Sequence, residues 1–146
     1  MKNTTEPYDG SVIYSFQSRW ENPLKSGNIK VFFRKTKPRS QPQKVYFYLG
    51  SPIMQIIGYS KVKKIEAISL EQSKSLLSAG MISEKELFKY IGNVGRVYAF
   101  WIEESFILPA PIPGIILNQR FGFHPPQSFC HINRSMEEFI LRCLND

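Results

Sequence analysis

The sequence predicts an α+β domain in which a mixed, curved sheet or small barrel carries its helices on the outside. Three observations lead there. Strand-type alternation recurs over residues 11–65 and again at 94–102, whereas helical patterning is gathered at 69–92 and after Ser135. This order lacks the regular β-then-α alternation of a doubly wound fold. The segment 94–102 (VGRVYAFWI) is apolar on both faces, which suits a strand inside a sheet. Finally, Met136, Phe139, Ile140, Cys143 and Leu144 share one stripe of a helix over 135–144, and such a stripe docks on a sheet.

Taken in order, residues 1–10 are polar, hold Pro7 and Gly10, and read as a loose lead-in. Residues 11–17 (SVIYSFQ) are rich in β formers and give the first strand. Ser18 and Glu21 have capping-box spacing for a short helix that Pro23 kinks or restarts from Asn22, and Gly27 ends it. In the next strand Ile29, Val31, Phe33 and Lys35 share the core face, leaving Lys30, Phe32 and Arg34 on the other. Pro38 and Pro42 exclude 36–43 from a central strand, so 36–44 is expected to be a mobile basic flap. Residues 44–49 (KVYFYL) alternate again, Gly50-Ser51-Pro52 turns, and Gly58 inside the strand 53–65 suggests a bulge or bend.

Ser69 with Gln72 caps one helix, which Gly80 ends; Ser83 with Glu86 caps a second, which Gly92 ends. Pro109, Pro111 and Pro113 make 103–114 a stiff extended connection. A further strand follows in the region of 121–129, and Ser135 with Glu138 caps the last helix. With no repeat and no linker, 1–146 reads as one domain, long enough to bury a core of its own.

The net charge of +7 is local. Eleven basic residues and one acid lie between Arg19 and Lys64, while the remainder holds 8 Lys+Arg against 11 Asp+Glu. A polyanion is therefore the expected partner, nucleic acid ahead of an anionic membrane surface. No apolar run approaches the roughly 18 residues of a membrane span, and MKNTTEPYDG has no signal-peptide core. With Cys130 and Cys143 read as free thiols, the expected location is the cytoplasm. His124, Cys130 and His131 have no zinc spacing, and no Walker loop, G-x-S-x-G or H-E-x-x-H occurs, so neither a metal nor a cofactor is expected.

Four stretches together, in this order, resemble the ASCH domain of the PUA-like superfamily. They are LKSGNIKVFFRKTKP (24–38), YLGSPIMQIIGYSKV (48–62), GRVYAF (95–100) and FGFHPPQSF (121–129). The likeness extends from Ser11 to about Ile132 and is greatest to stand-alone prokaryotic members labelled transcriptional regulators. It implies a barrel of about five or six strands beside a cleft for RNA or a modified nucleotide. Gly27 and Arg34 match the family strand motif G-[ED]-K-T-x-E-x-R. The lysine and threonine of hydrolytic members fall on Ile29 and Phe32, so enzymatic activity is not the leading expectation.

The expected function is nucleic-acid binding, RNA ahead of DNA, with a modified nucleotide as another ligand of the same cleft. Lys30, Arg34, Lys35, Lys37 and Arg39 supply charge for phosphates, and Arg96 is expected to converge on them. Tyr48 offers a ring for a base, while Ser51, Gln127 and Ser128 are short polar groups on rigid backbone that can read a base edge. Two alternatives stand beside this reading. One is a nucleotide- or RNA-processing hydrolase of amidohydrolase or ribonuclease type; the other is a protein-interaction module of a regulatory complex.

Overall fold

Alternating apolar residues build six strands into one sheet. The computed structural model describes residues 10–145, so all of the expected lead-in except Gly10 lies outside the described residues. The strands are β1 (Ser11–Phe16), β2 (Val31–Arg34), β3 (Lys44–Leu49), β4 (Gln55–Ser69), β5 (Arg96–Pro113) and β6 (Phe129–His131). Their order across the sheet is β2-β5-β4-β3-β1-β6. Only the β1–β3 pair is parallel. The mixed α+β class expected from the sequence is the class observed.

The sheet curls without closing. Tyr14 of β1 lies 5.7 Å from the ring of Phe32 on β2 and 5.2 Å from Phe100 on β5, although β1 and β2 stand near opposite ends of the order. No ladder joins β2 to β1 or β6, so the curved sheet leaves a seam where a closed barrel would have continuous pairing. The bend comes from β4 and β5, whose register shifts at Ile56/Gly58, Ser60/Val62 and Val62/Lys64. Each shift adds local twist. At the first, the strands approach so closely that a Cβ on Gly58 would stand 2.3 Å from the Phe106 carbonyl oxygen. Gly58→Ala is accordingly expected to cost about 1–3 kcal/mol. Urea denaturation checks this; an unmoved midpoint would mean the strands part without strain.

Burial on both sheet faces explains why binary patterning was ambiguous. Val45, Phe47 and Leu49 enter the core inside the curl with Tyr14, Phe16, Phe32 and Phe100. Tyr46 and Tyr48 enter a second core on the other face, beneath helices α4 (Gly114–Phe121) and α5 (Arg134–Asn145). Val31 and Phe33 meet Leu87 and Ile91 of α3 (Glu84–Ile91) in a third. Phe32, expected on the face away from the core, is buried too.

Helix ends follow local chemistry, with three departures. The Ser69–Gln72 capping box is complete at α2 (Leu70–Ser73), and Ser83 caps α3 by accepting from the Glu86 N–H. Gly80, expected to end a longer helix, instead packs against Phe33, where a Cβ would stand 2.8 Å from Cε2. Ser18 caps nothing: a 3-10 turn (Ser18–Trp20) leads into α1 (Glu21–Ser26). Pro23 falls in the first turn of α1, where its missing N–H costs nothing. At α5 the cap is Asn133, whose Oδ1 accepts from the Met136 N–H at 2.8 Å, rather than Ser135.

The proline segment continues β5 to Pro113, paired with β4 as far as Gln55. β2 covers only Tyr98–Trp101 of β5, so the prolines lie where that flank has no partner strand and no ladder bond is lost. α4 was not foreseen. Its signals are Pro113 before the first turn and left-handed Gly122 after the last.

Among the described residues, Glu137 is the buried charged side chain, and the buried serines are Ser11, Ser60 and Ser73. Glu137 of α5 accepts from Ser11 Oγ at 2.6 Å, Tyr46 Oη at 2.7 Å and Lys44 Nζ at 3.4 Å, tying the helix to β1 and β3.

Candidate functional site

The open seam is the mouth of a cleft of about 990 Å³. One wall is the end of β1 with the turn beyond it, from Ser15 to Trp20; the opposite wall is Phe32, Phe33 and Arg34 of β2. Glu86, Leu87, Lys89 and Tyr90 of α3 close one side, and Gly50, Ser51 and Gln127 reach in from two loops. The lining cations Arg19, Arg34 and Lys89 face Glu86 alone, so the cleft favours an anion.

Arg34 is the central group. Its guanidinium carbon lies 4.4 Å from the Phe16 ring centroid, 5.2 Å from Tyr14 and 5.7 Å from Phe32. Its Nε is buried without a hydrogen-bond partner among the described residues. Desolvation lowers its pKa from the ordinary arginine value, while the Tyr90 hydroxyl beside it acts in the opposite direction. Burial likewise raises the Tyr14 phenol well above the usual tyrosine range. Such an arginine, stacked on rings and short of a partner, is fit to take an oxyanion or lie against a planar base.

The jaws of the cleft are tied by side chains. Arg19 lies over the Trp20 ring at 3.8 Å and its Nε donates to Glu86 of α3 at 2.6 Å, bridging the turn and the helix. On the far side Thr36 Oγ1 and Ser128 Oγ share a hydrogen bond of 3.2 Å, and Tyr14 Oη donates to the Thr36 carbonyl at 3.4 Å. Ser15 Oγ donates to the Pro126 carbonyl at 2.6 Å, and the Ser15 N–H donates to the Ser128 carbonyl at 3.1 Å, which fixes the loop carrying Gln127.

Structures of known proteins with the same arrangement identify the fold. The ASCH protein of Zymomonas mobilis matches with a TM-score of 0.85 and 19% identity over 92% of this chain and 96% of that one. A serine-to-alanine mutant of it matches equally, over 94% and 98%. The chain has the ASCH-domain fold. The N-terminal domain of McrB from Staphylothermus marinus is a more distant match, with a TM-score of 0.58 and 13% identity over 96% of this chain and 98% of that one. No family model and no curated protein sequence matches.

Within this ASCH fold the expected site residues separate. Arg34, Ser51 and Gln127 line one cleft, Ser128 supports it, and Lys35 stands at its rim with Nζ 4.9 Å from the Tyr90 ring centroid. Lys30 turns away: its side chain is exposed and Nζ donates to the Gly27 carbonyl at 3.2 Å. Tyr48 lies in the core beneath α4 and does not reach the cleft, because both faces of β3 are covered. Lys37 and Arg96 share the Tyr98 ring instead of lining the cleft, and Arg39 is exposed outside it.

The segment 36–44 is no flap. Pro38 and Pro42 are buried, and the Gln43 carbonyl accepts from the Val62 N–H at 2.9 Å. Ile29 and Phe32, where hydrolytic members carry lysine and threonine, are core residues. The cleft residues that patterning missed include Arg19 and Trp20 of the turn and Glu86, Lys89 and Tyr90 of α3. For Glu86, Lys89 and Tyr90 the signal lay in α3, whose polar face carries them beside buried Leu87.

Proposed function

We propose that the protein binds RNA through this cleft and acts in the cytoplasm as a regulator that holds its ligand. Arg34 carries the reading, because a buried guanidinium stacked on aromatic rings with an unpartnered Nε is prepared for a ligand to complete its bonding. Arg34, Lys89 and Arg19 take phosphates, the partly open rings of Trp20 and Tyr90 receive a base, and Ser51 and Gln127 contact its polar edge. RNA stands ahead of DNA, and a modified nucleotide would occupy the same space. No helix among the described residues is long and apolar enough to cross a membrane. An RNA-processing hydrolase would use the same cleft. Binding is favoured because Arg34 and its rings offer charge and stacking, whereas the lining serines Ser15, Ser18 and Ser51 have no Cys or His beside them in the cleft.

Titration of a fluorescent single-stranded RNA at rising KCl tests this. Three phosphate contacts give a log–log slope of about −2 and about fifteenfold weaker binding between 50 and 200 mM salt. A salt-independent affinity, or no binding, would overturn the proposal in favour of an interaction module. Shortened RNA recovered from the titration would place the cleft among processing sites.

A further inference from the structure

Tyr98 of β5 pairs directly with Arg34 of β2, so the two side chains start about 5 Å apart on one face of the sheet. The ring is half-buried, with its inner side on the core inside the curl. Two cations attend it: Lys37 Nζ at 5.8 Å and Arg96 Cζ at 5.7 Å from its centroid. Among the described residues neither cation forms an ion pair. Glu66, in register with Ala99, accepts from Trp101 Nε1 at 2.8 Å and pairs with Lys64. A partly exposed ring between two unneutralised cations lies next to the arginine that leads out of the cleft. None of these three side chains lines the cleft itself.

We propose that Tyr98, Lys37 and Arg96 form a second nucleotide platform, which stacks the base next to the one in the cleft while the cations hold its flanking phosphates. The platform rests on the RNA-binding reading of the cleft and deepens it: the ligand is a single strand of at least two nucleotides, not a mononucleotide. Stacking on an aromatic ring tolerates any base, so the platform adds affinity without sequence choice. The chain reaches it past Arg34, whose guanidinium then lies between two successive nucleotides.

The test is a calorimetric titration of a four-nucleotide single-stranded RNA against the wild type and four variants. Tyr98→Leu and the exposed pair Lys37→Gln/Arg96→Gln should each lower affinity roughly tenfold. Tyr98→Phe, which keeps the ring, should bind as the wild type does. Arg34→Ala reports the cleft separately. If Arg34→Ala weakens binding while Tyr98→Leu and the cation pair do not, the platform is wrong and the cleft stands. If Arg34→Ala leaves affinity untouched, the cleft reading fails and the platform falls with it. Equal loss in Tyr98→Phe and Tyr98→Leu would also overturn the platform, since the ring would then not be what matters.

Discussion

Arg34→Ala should weaken RNA binding at least thirtyfold at moderate salt. Truncating one partner of a desolvated charge contact costs about 2–5 kcal/mol, and the lower figure corresponds to that factor. The loss should be large because Arg34 does three things at once: it supplies charge, presents a planar fork, and lies on Phe16 as part of the cleft wall. Arg34→Lys separates them. Lysine keeps the charge but neither the fork nor the flat stacking surface, and should recover only a small part of the affinity. Fluorescence anisotropy with the RNA used for the wild type measures both variants. If Arg34→Lys bound normally, a point charge would suffice and the stacked geometry would be irrelevant to binding.

The largest effect on stability is expected on the other face of the sheet. Glu137→Ala should cost about 3–5 kcal/mol, because removing the carboxylate leaves Ser11 and Tyr46 hydroxyls without their buried acceptor and Lys44 without its counter-charge. For a chain of this size that corresponds to a fall in Tm of roughly 10 °C or more. Glu137→Gln keeps an acceptor and should be milder. Urea denaturation checks both, and a loss under about 1 kcal/mol would mean that α5 is held by its apolar stripe alone. RNA affinity of the folded Glu137→Gln protein should match the wild type, since Glu137 lies outside the cleft.

The strands were legible because β-type alternation survives even where both faces are buried; which face meets which core was not. Alternation in 44–49 distinguishes two sets of side chains without saying that α4 and α5 cover the set containing Tyr48. Ring type was therefore a poor guide to the site: Tyr48 is core, whereas Tyr90 and Tyr98 are partly open. Short polar residues on turns did better. Ser51 and Gln127 converge with Arg34 although 93 residues separate Arg34 from Gln127 in the chain. Glycine and proline were read correctly as constraints but not always for the right cause. Gly80 makes room for Phe33 rather than ending a helix, and Pro38 and Pro42 anchor a segment expected to move. Such outcomes depend on tertiary neighbours that no local window contains.

The seam has a consequence for how copies of the protein meet one another. A sheet that does not close keeps two strands with backbone groups available for pairing, and flat exposed edges recruit strands from other molecules. Here the curl turns β2 toward β1, and Thr36, Ser128 and Tyr14 span the gap with side-chain bonds. The two ends of the sheet are thus bonded to each other across the gap, and the cleft opens between them. One opening both ends the ladder of the sheet and forms the mouth of the cleft.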